Sequence, residues 1–253
     1  MGCFSDEIKQ VFKDWKQDKL LQDLEADHAQ LLARRVDRIA YGDPNLLSPK
    51  KRAILNSQVL RQALLHRAEH LLVGSGTMLL AKNVYGLALV ARGHLEGTAV
   101  LAFFCNRINA LSKGNIQFEK FDKEVADAVM GAKHEVFAKA NSPNNIMNCI
   151  EKGDKFLDDH AFSAKKGFLT DCYGWLSEFA HPNFCSNKIA FDVDKKAGSF
   201  VFHHNGDLKE TDFQLAGYLQ MSAALFPTLF DTFGERTEQV LAEQQVASGT
   251  PSS

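Results

Sequence analysis

Apolar residues recur along most of this chain at steps of three and four, the period of α-helices that bury one face. Leu20, Leu21, Leu24, Leu31, Leu32, Val36 and Ile39 make the first stripe. Ser5 caps the opening helix, and Asp6 and Glu7 suit its positive end. The pattern carries helix to about Tyr41, with a break near residues 17–19, and Gly42-Asp43-Pro44 ends it. Ser48-Pro49, a cap followed by proline at the first helical position, opens a second helix through Ile54, Leu60, Leu64 and Leu71. Gly74-Ser75-Gly76 is the place where it would be interrupted.

Residues 78–111 are apolar nearly all round, which belongs at the centre of a fold, and Gly86, Gly93 and Gly97 would let neighbouring helices approach. Shorter helices are predicted over 118–139 and, capped by Ser142-Pro143, over 143–157. A stronger one spans 161–180 and stops near His181, because Pro182 disfavours helical geometry in the residue before it. The period then changes to two: Ile189, Phe191 and Val193 lead through 194–198 into Phe200 and Phe202, a β-hairpin expected to lie over the helices. Thr211-x-x-Gln214 is a capping box that opens the last long helix, which carries Pro227 and Gly234.

No internal repeat or polar linker divides the chain. The expected fold is all-α, a single helical bundle with a small β-hairpin at about 187–204, inserted before the last long helix. Residues 1–246 form one helical domain in this reading, and 247–253 a disordered tail.

Composition narrows the picture. A chain of 253 residues with 45% hydrophobic content suits one large core. Lys and Arg number 29 against 31 Asp and Glu, and a net charge of −2 gives no general attraction to nucleic acid or anionic lipid. Cys3, Cys105, Cys149, Cys172 and Cys185 form no C-x-x-C pair and read as reduced thiols of a cytoplasmic protein. The start Met-Gly-Cys lacks the Ser or Thr of a myristoylation signal, since Asp6 stands there, and the charged run over 6–19 is unlike a cleavable leader. The longest apolar region, 71–105, is broken by Lys82, Asn83, Arg92, His94 and Glu96, so it reads as a buried helix pair and not as a membrane span.

Two groups of polar side chains inside these apolar patterns need a reason, because a buried charge is costly without a partner. Lys82, Tyr85, Leu89, Arg92 and Glu96 fall on one helical stripe, with Arg92 and Glu96 four apart. Tyr173, Ser177 and His181 share another face, beside Asp171, Gly174 and Glu178. Two readings stay open for each: a structural ion pair and a helix-terminal histidine, or side chains lining a polar site between helices.

Ala91-Arg92-Gly93-His94-Leu95-Glu96 and the later run from Tyr173 through Leu176-Ser177 to His181-Pro182 resemble an uncharacterised family of bacterial all-helical proteins, over about residues 60–240. In that family an Arg-x-x-x-Glu helix precedes a Tyr-x-x-Leu-Ser-x-x-x-His-Pro segment. The resemblance implies that Arg92, Glu96, Tyr173, Ser177 and His181 belong to one site, and the company such families keep implies a stress or defence role.

Other signatures compete. His66-x-x-Glu69-His70 matches H-x-x-E-H, a zinc arrangement, but no further downstream glutamate or α/β scaffold accompanies it, and a solvated helix face is preferred. Glu25-x-x-His28 and Glu178-x-x-His181, with Glu69 and Glu96, have the ligand types of a di-iron bundle. Arg61 and His66 fit the R-x4-6-H pattern of HEPN domains, helical proteins that include ribonucleases. No serine-hydrolase elbow, P-loop or dinucleotide fingerprint occurs.

The leading expectation is a polar interior pocket for a small or anionic ligand. Arg92 supplies fixed charge there, Glu96 orients it, and His181 with Tyr173 and Glu96 are the candidate catalytic groups. No metal site is expected, and the cofactor is unknown. The alternatives are a HEPN-like ribonuclease or other phosphodiesterase, with nucleic acid as partner, and a non-catalytic interaction module. A homo-oligomer and no membrane partner complete the reading.

Overall fold

The computed structural model describes residues 2–40, 42–43, 47–137, 140–160, 162, 165–203 and 207–247. Ser5 caps α1 (Asp6–Asp14), its Oγ accepting from the Ile8 amide at 3.4 Å. The expected break falls at Lys16, which adopts a φ of 55°. Its amide and that of Gln17 reach back to the Lys13 and Phe12 carbonyls at 2.9 and 2.8 Å, the bond pair of a Schellman cap. α2 then runs over Asp18–Leu32 and stops well short of residue 41.

Side chains take the backbone away from the helix there. Arg34 forks onto the Asp231 carboxylate through Nε and Nη2 at 3.0 and 2.6 Å. The Gln62 amide donates to the Arg34 carbonyl at 2.9 Å, and its oxygen accepts from the Val36 amide. Val36 and Ile39 therefore leave the stripe. Tyr41 and Pro44, where the helix was expected to end, lie outside the described residues.

α3 (Pro49–Leu80) is capped by Ser48, whose Oγ accepts from the Lys51 amide, and it runs unbroken through Gly74-Ser75-Gly76. A Cβ on Gly76 would strike the Phe4 ring, so this glycine admits α1 instead of breaking α3. The interruption comes later, at Lys82, with a φ of 53° and a second Schellman pair from Lys82 and Asn83 to Leu79 and Met78. Asn83 Oδ1 then accepts from the Gly86 amide and opens α4 (Val84–Ser112). By length and composition α4 alone among the described helices could cross a membrane, and 72% of that window is buried within the protein.

α5 (Phe118–Met130) ends nine residues before the expected 139, because Gly131 lies against the Pro143 backbone and the Ala132 amide bonds the Asn141 carbonyl. A 3-10 turn follows at Glu135–Phe137. Asn145, not Ser142, caps α6 (Ile146–Asp159). α7 (Phe168–Ala180) begins later than 161, where the Leu169 amide meets Asp154 Oδ1 at 2.7 Å. Ala161 itself lies outside the described residues. A short helix the pattern does not announce, α8 (Phe184–Ile189), precedes the hairpin.

β1 (Phe191–Asp194) and β2 (Ser199–Phe202) pair antiparallel, with Phe191 opposite Phe202 and Asp194 opposite Ser199. The hairpin does not lie over helices: β2 is exposed along its whole length. His204, next to the predicted end of the hairpin, is outside the described residues. α9 (Glu210–Ala247) is capped from within, Asp212 accepting from the Lys209 amide at 2.8 Å, where a Thr211–Gln214 box was expected. It passes Pro227 as one helix. Residue 247 is still helical, and the rest of the expected tail, 248–253, is outside the described residues.

The fold is all-α with one hairpin before the last long helix. It divides into two compact units. The first comprises Met1–Ala33, Arg67–Glu96 and Thr170–Ala224. Its core holds Phe12 between Phe4 and Phe213, with Leu72, Leu87 and Leu95 fully buried. Gly93 of α4 meets the Arg67 guanidinium and Leu71 of α3 closely there.

The second comprises Arg34–His66, Gly97–Leu169 and Leu225–Ser253. Phe104 stacks on Phe233 at 5.4 Å and meets Phe121 edge-on. Gly153 of α6 packs against Ala99 and Ala102 of α4, Gly86 of α4 leaves room for the Met78 side chain of α3, and at Gly97 an added Cβ would meet Leu64 of α3 only at ordinary contact distance. Arg107 clamps Glu124 through two bonds of 2.6 and 2.7 Å. None of the five cysteines is in a disulfide, and burial pushes Cys149 up to about 12 and Cys105 higher still, which keeps both protonated.

Candidate functional site

In the first unit, the α4 stripe meets the end of α7 and the turn after it. Arg92 is the centre. Its Nε donates to Glu96 Oε1 at 3.2 Å, one turn along the same helix. Nη2 donates to Tyr173 Oη at 2.5 Å, and Nη1 approaches His181 Nε2 at 2.7 Å. The guanidinium carbon also lies 4.6 Å from the Tyr173 ring centroid. A guanidinium has no acceptor, so the His181 contact requires a neutral imidazole with Nε2 accepting and the proton on Nδ1.

Four of the five expected residues therefore converge. Ser177 does not: its hydroxyl donates to the Tyr173 carbonyl at 2.6 Å, a back-bond that a serine one turn along a helix makes readily. The cluster is also not interior. Arg92 is half-buried, but His181 is exposed, because the turn that Pro182 forces lifts it off the end of α7.

The rest of the stripe diverges from this centre. Lys82 sits in the left-handed turn and pairs with exposed Asp207, Tyr85 Oη donates to the Ser186 carbonyl at 3.1 Å, and Leu89 faces solvent. His94, two residues from Arg92, is fully buried with Nδ1 2.8 Å from Ser222 Oγ. Burial first, and the Arg67 charge second, hold its pKa down at about 3.

No family model, curated protein or solved structure matches the chain.

The competing signatures do not assemble. Arg61 lies over the Phe230 ring and fills the space beside Gly234, and burial lowers its pKa. His66 is exposed and lies about 140° around α3 from Arg61. In H-x-x-E-H, Glu69 turns from the exposed His66 and His70 to His28 Nε2, 3.8 Å away. The di-iron ligands scatter as well: Glu25 pairs with Lys9, Glu178 accepts from Asn183, and Glu96 and His181 are held by Arg92. Among the described residues no three His, Cys, Asp or Glu side chains are grouped for a metal ion.

A cavity in this unit lies elsewhere. An open cleft of about 1070 Å³ is lined by the α3–α4 turn, by Trp175 and Phe179 of α7, by α8, and by the start of α9. Trp175, which the apolar pattern assigns to the core, has its Nε1 buried without a hydrogen-bond partner. Asp212 lies in this wall, and burial holds its carboxyl above the usual range. The lining comes from several separate segments, so no spacing in the sequence announces it.

Proposed function

We propose that this helical-bundle protein binds a small anionic group, a carboxylate or phosphate, at the Arg92 cluster. One observation carries the reading: a half-buried guanidinium gathers side chains from α7 and the following turn while the site stays open at His181. Of its five N–H donors, the three bonds engage one on each nitrogen, which leaves one on each terminal nitrogen. A guanidinium with donors left on both terminal nitrogens suits an oxyanion. Glu96 fixes the rotation of the fork. Tyr173 accepts from Arg92, so its own O–H remains able to donate to the ligand. His181 holds Nη1 in place through Nε2, with its Nδ1–H on the far side of the ring. A hydrolytic role is less well supported, since the Ser177 hydroxyl is turned onto the backbone.

Titration calorimetry with inorganic phosphate and with acetate tests the proposal. Binding to the natural chain should weaken about tenfold in Arg92→Lys, which keeps the charge and loses the fork, and by a similar factor in Tyr173→Phe. Equal affinity in all three proteins, or no binding of either anion to the natural chain, overturns it.

A further inference from the structure

We propose that the free edge of β2 is the seat of a symmetric dimer, in which two hairpins join through β2 into one four-stranded antiparallel sheet. The intrachain ladder decides which groups are free. The His203 amide donates to the Ala190 carbonyl at 2.9 Å, and the register sets Asp192 opposite Val201 and Val193 opposite Phe200. Hydrogen-bonded and non-bonded pairs alternate in such a ladder, so Val201 is turned toward β1. Phe200 and Phe202 therefore present both their N–H and C=O groups outward.

A two-fold axis through Val201 sets Phe200 opposite Phe202 of the second copy, and the reverse. Both are outward-facing positions, so the two strands exchange four hydrogen bonds with no shift of register, and the phenylalanine rings meet on one face. The exposure is otherwise hard to account for: Phe200 is 62% exposed, Phe202 61% and Val201 48%. An isolated two-stranded hairpin is marginal in water, whereas four strands with an apolar face are not.

The charge pattern chooses between the two edges. β1 presents Phe191 and Val193 outward, so the equivalent axis there sets Asp192 against its own copy, and like charges directly opposed destabilise a sheet. β2 reads Ser-Phe-Val-Phe, with no charge, proline or bulge to guard it.

Sedimentation equilibrium of the full chain at about 5 and 200 µM tests this, since so small an interface holds in the micromolar range. The natural protein should move toward dimer mass at the higher concentration. Val201→Lys sets two ammonium groups against each other at the axis and should stay monomeric, with its Tm and the ring contact of Phe191 with Phe200 retained by NMR. An equal mixture of Val201→Lys and Val201→Glu should regain the dimer. Val193→Lys, which alters the apolar face but not the β2 edge, should remain dimeric. A natural chain monomeric at 200 µM, a dimeric Val201→Lys, or a mixture that stays monomeric overturns the proposal. Dissociation of Val193→Lys points to stacked faces and overturns it too.

Discussion

A polar residue inside an apolar pattern marks a place that needs a partner, and residues 92 to 96 show how differently that need is met. Arg92 and Glu96 stay at the surface of α4 and pair with each other and with α7, whereas His94, about 200° around the helix from Arg92, goes into the core against Ser222. His94 folds as a neutral ring. Its pKa of about 3 lies below the ordinary value near 6.5, so the unfolded chain takes up the proton first as pH falls. Its contribution to stability is complete above about 6.5 and declines as pH drops toward 3, by about 2 kcal/mol at pH 5. Asp27 acts in the opposite sense. Burial raises its carboxyl to about 6, so its cost grows as pH rises from about 4 to 6, and the natural slope mixes the two. The difference between proteins isolates the histidine: between pH 6.5 and 5, urea unfolding of His94→Gln should lose less stability than the natural chain, by about 2 kcal/mol. Equal slopes would mean that His94 is not held neutral.

At the scale of elements, what the sequence reveals depends on whether a boundary is set locally. The caps at Ser5 and Ser48-Pro49 are local and legible, as are the change of period at the hairpin and the stop before Pro182. The end of α3 is hidden because its left-handed residue, Lys82, is a lysine where glycine is the usual signal, whereas the break after α1, at left-handed Lys16, falls one residue before the expected 17–19. The end of α2 is hidden for another reason, since Asp231, which captures Arg34, is 197 residues away. The Arg92 cluster was legible as residue types at helical spacing, but not as an open site, because the exposure of His181 follows from the turn after α7. Left-handed lysine is strained, so Lys16→Gly should raise stability by about 0.5–1 kcal/mol despite the extra freedom of the unfolded chain. A fall in Tm for that exposed substitution would show that the Lys16 side chain makes a compensating contact.

For the whole molecule, the order of segments constrains how it can fold. Each compact unit is assembled from three separated stretches, and the chain passes between them at 33/34, 66/67, 96/97, 169/170 and 224/225. Four of these junctions fall inside helices, in α3, α4, α7 and α9, at positions where the helix is continuous. Most of the stability of a helix in a protein comes from the apolar face it packs against its neighbours. Cutting the chain at 66/67, 96/97 or 169/170 therefore leaves both units incomplete, in contrast to proteins whose parts lie in sequence along the chain. A fragment ending at Leu169 would keep the second unit's Phe104 and Phe121 but lose Phe233, and keep the first unit's Phe12 but lose Phe213. Expressed alone, residues 1–169 should show helical content well below that of the natural chain and no cooperative thermal transition. The complementary piece, 170–253, mixed with it in equal amounts, should restore both. A fragment 1–169 that melts cooperatively by itself would show that the second unit does not need α9 to close its core.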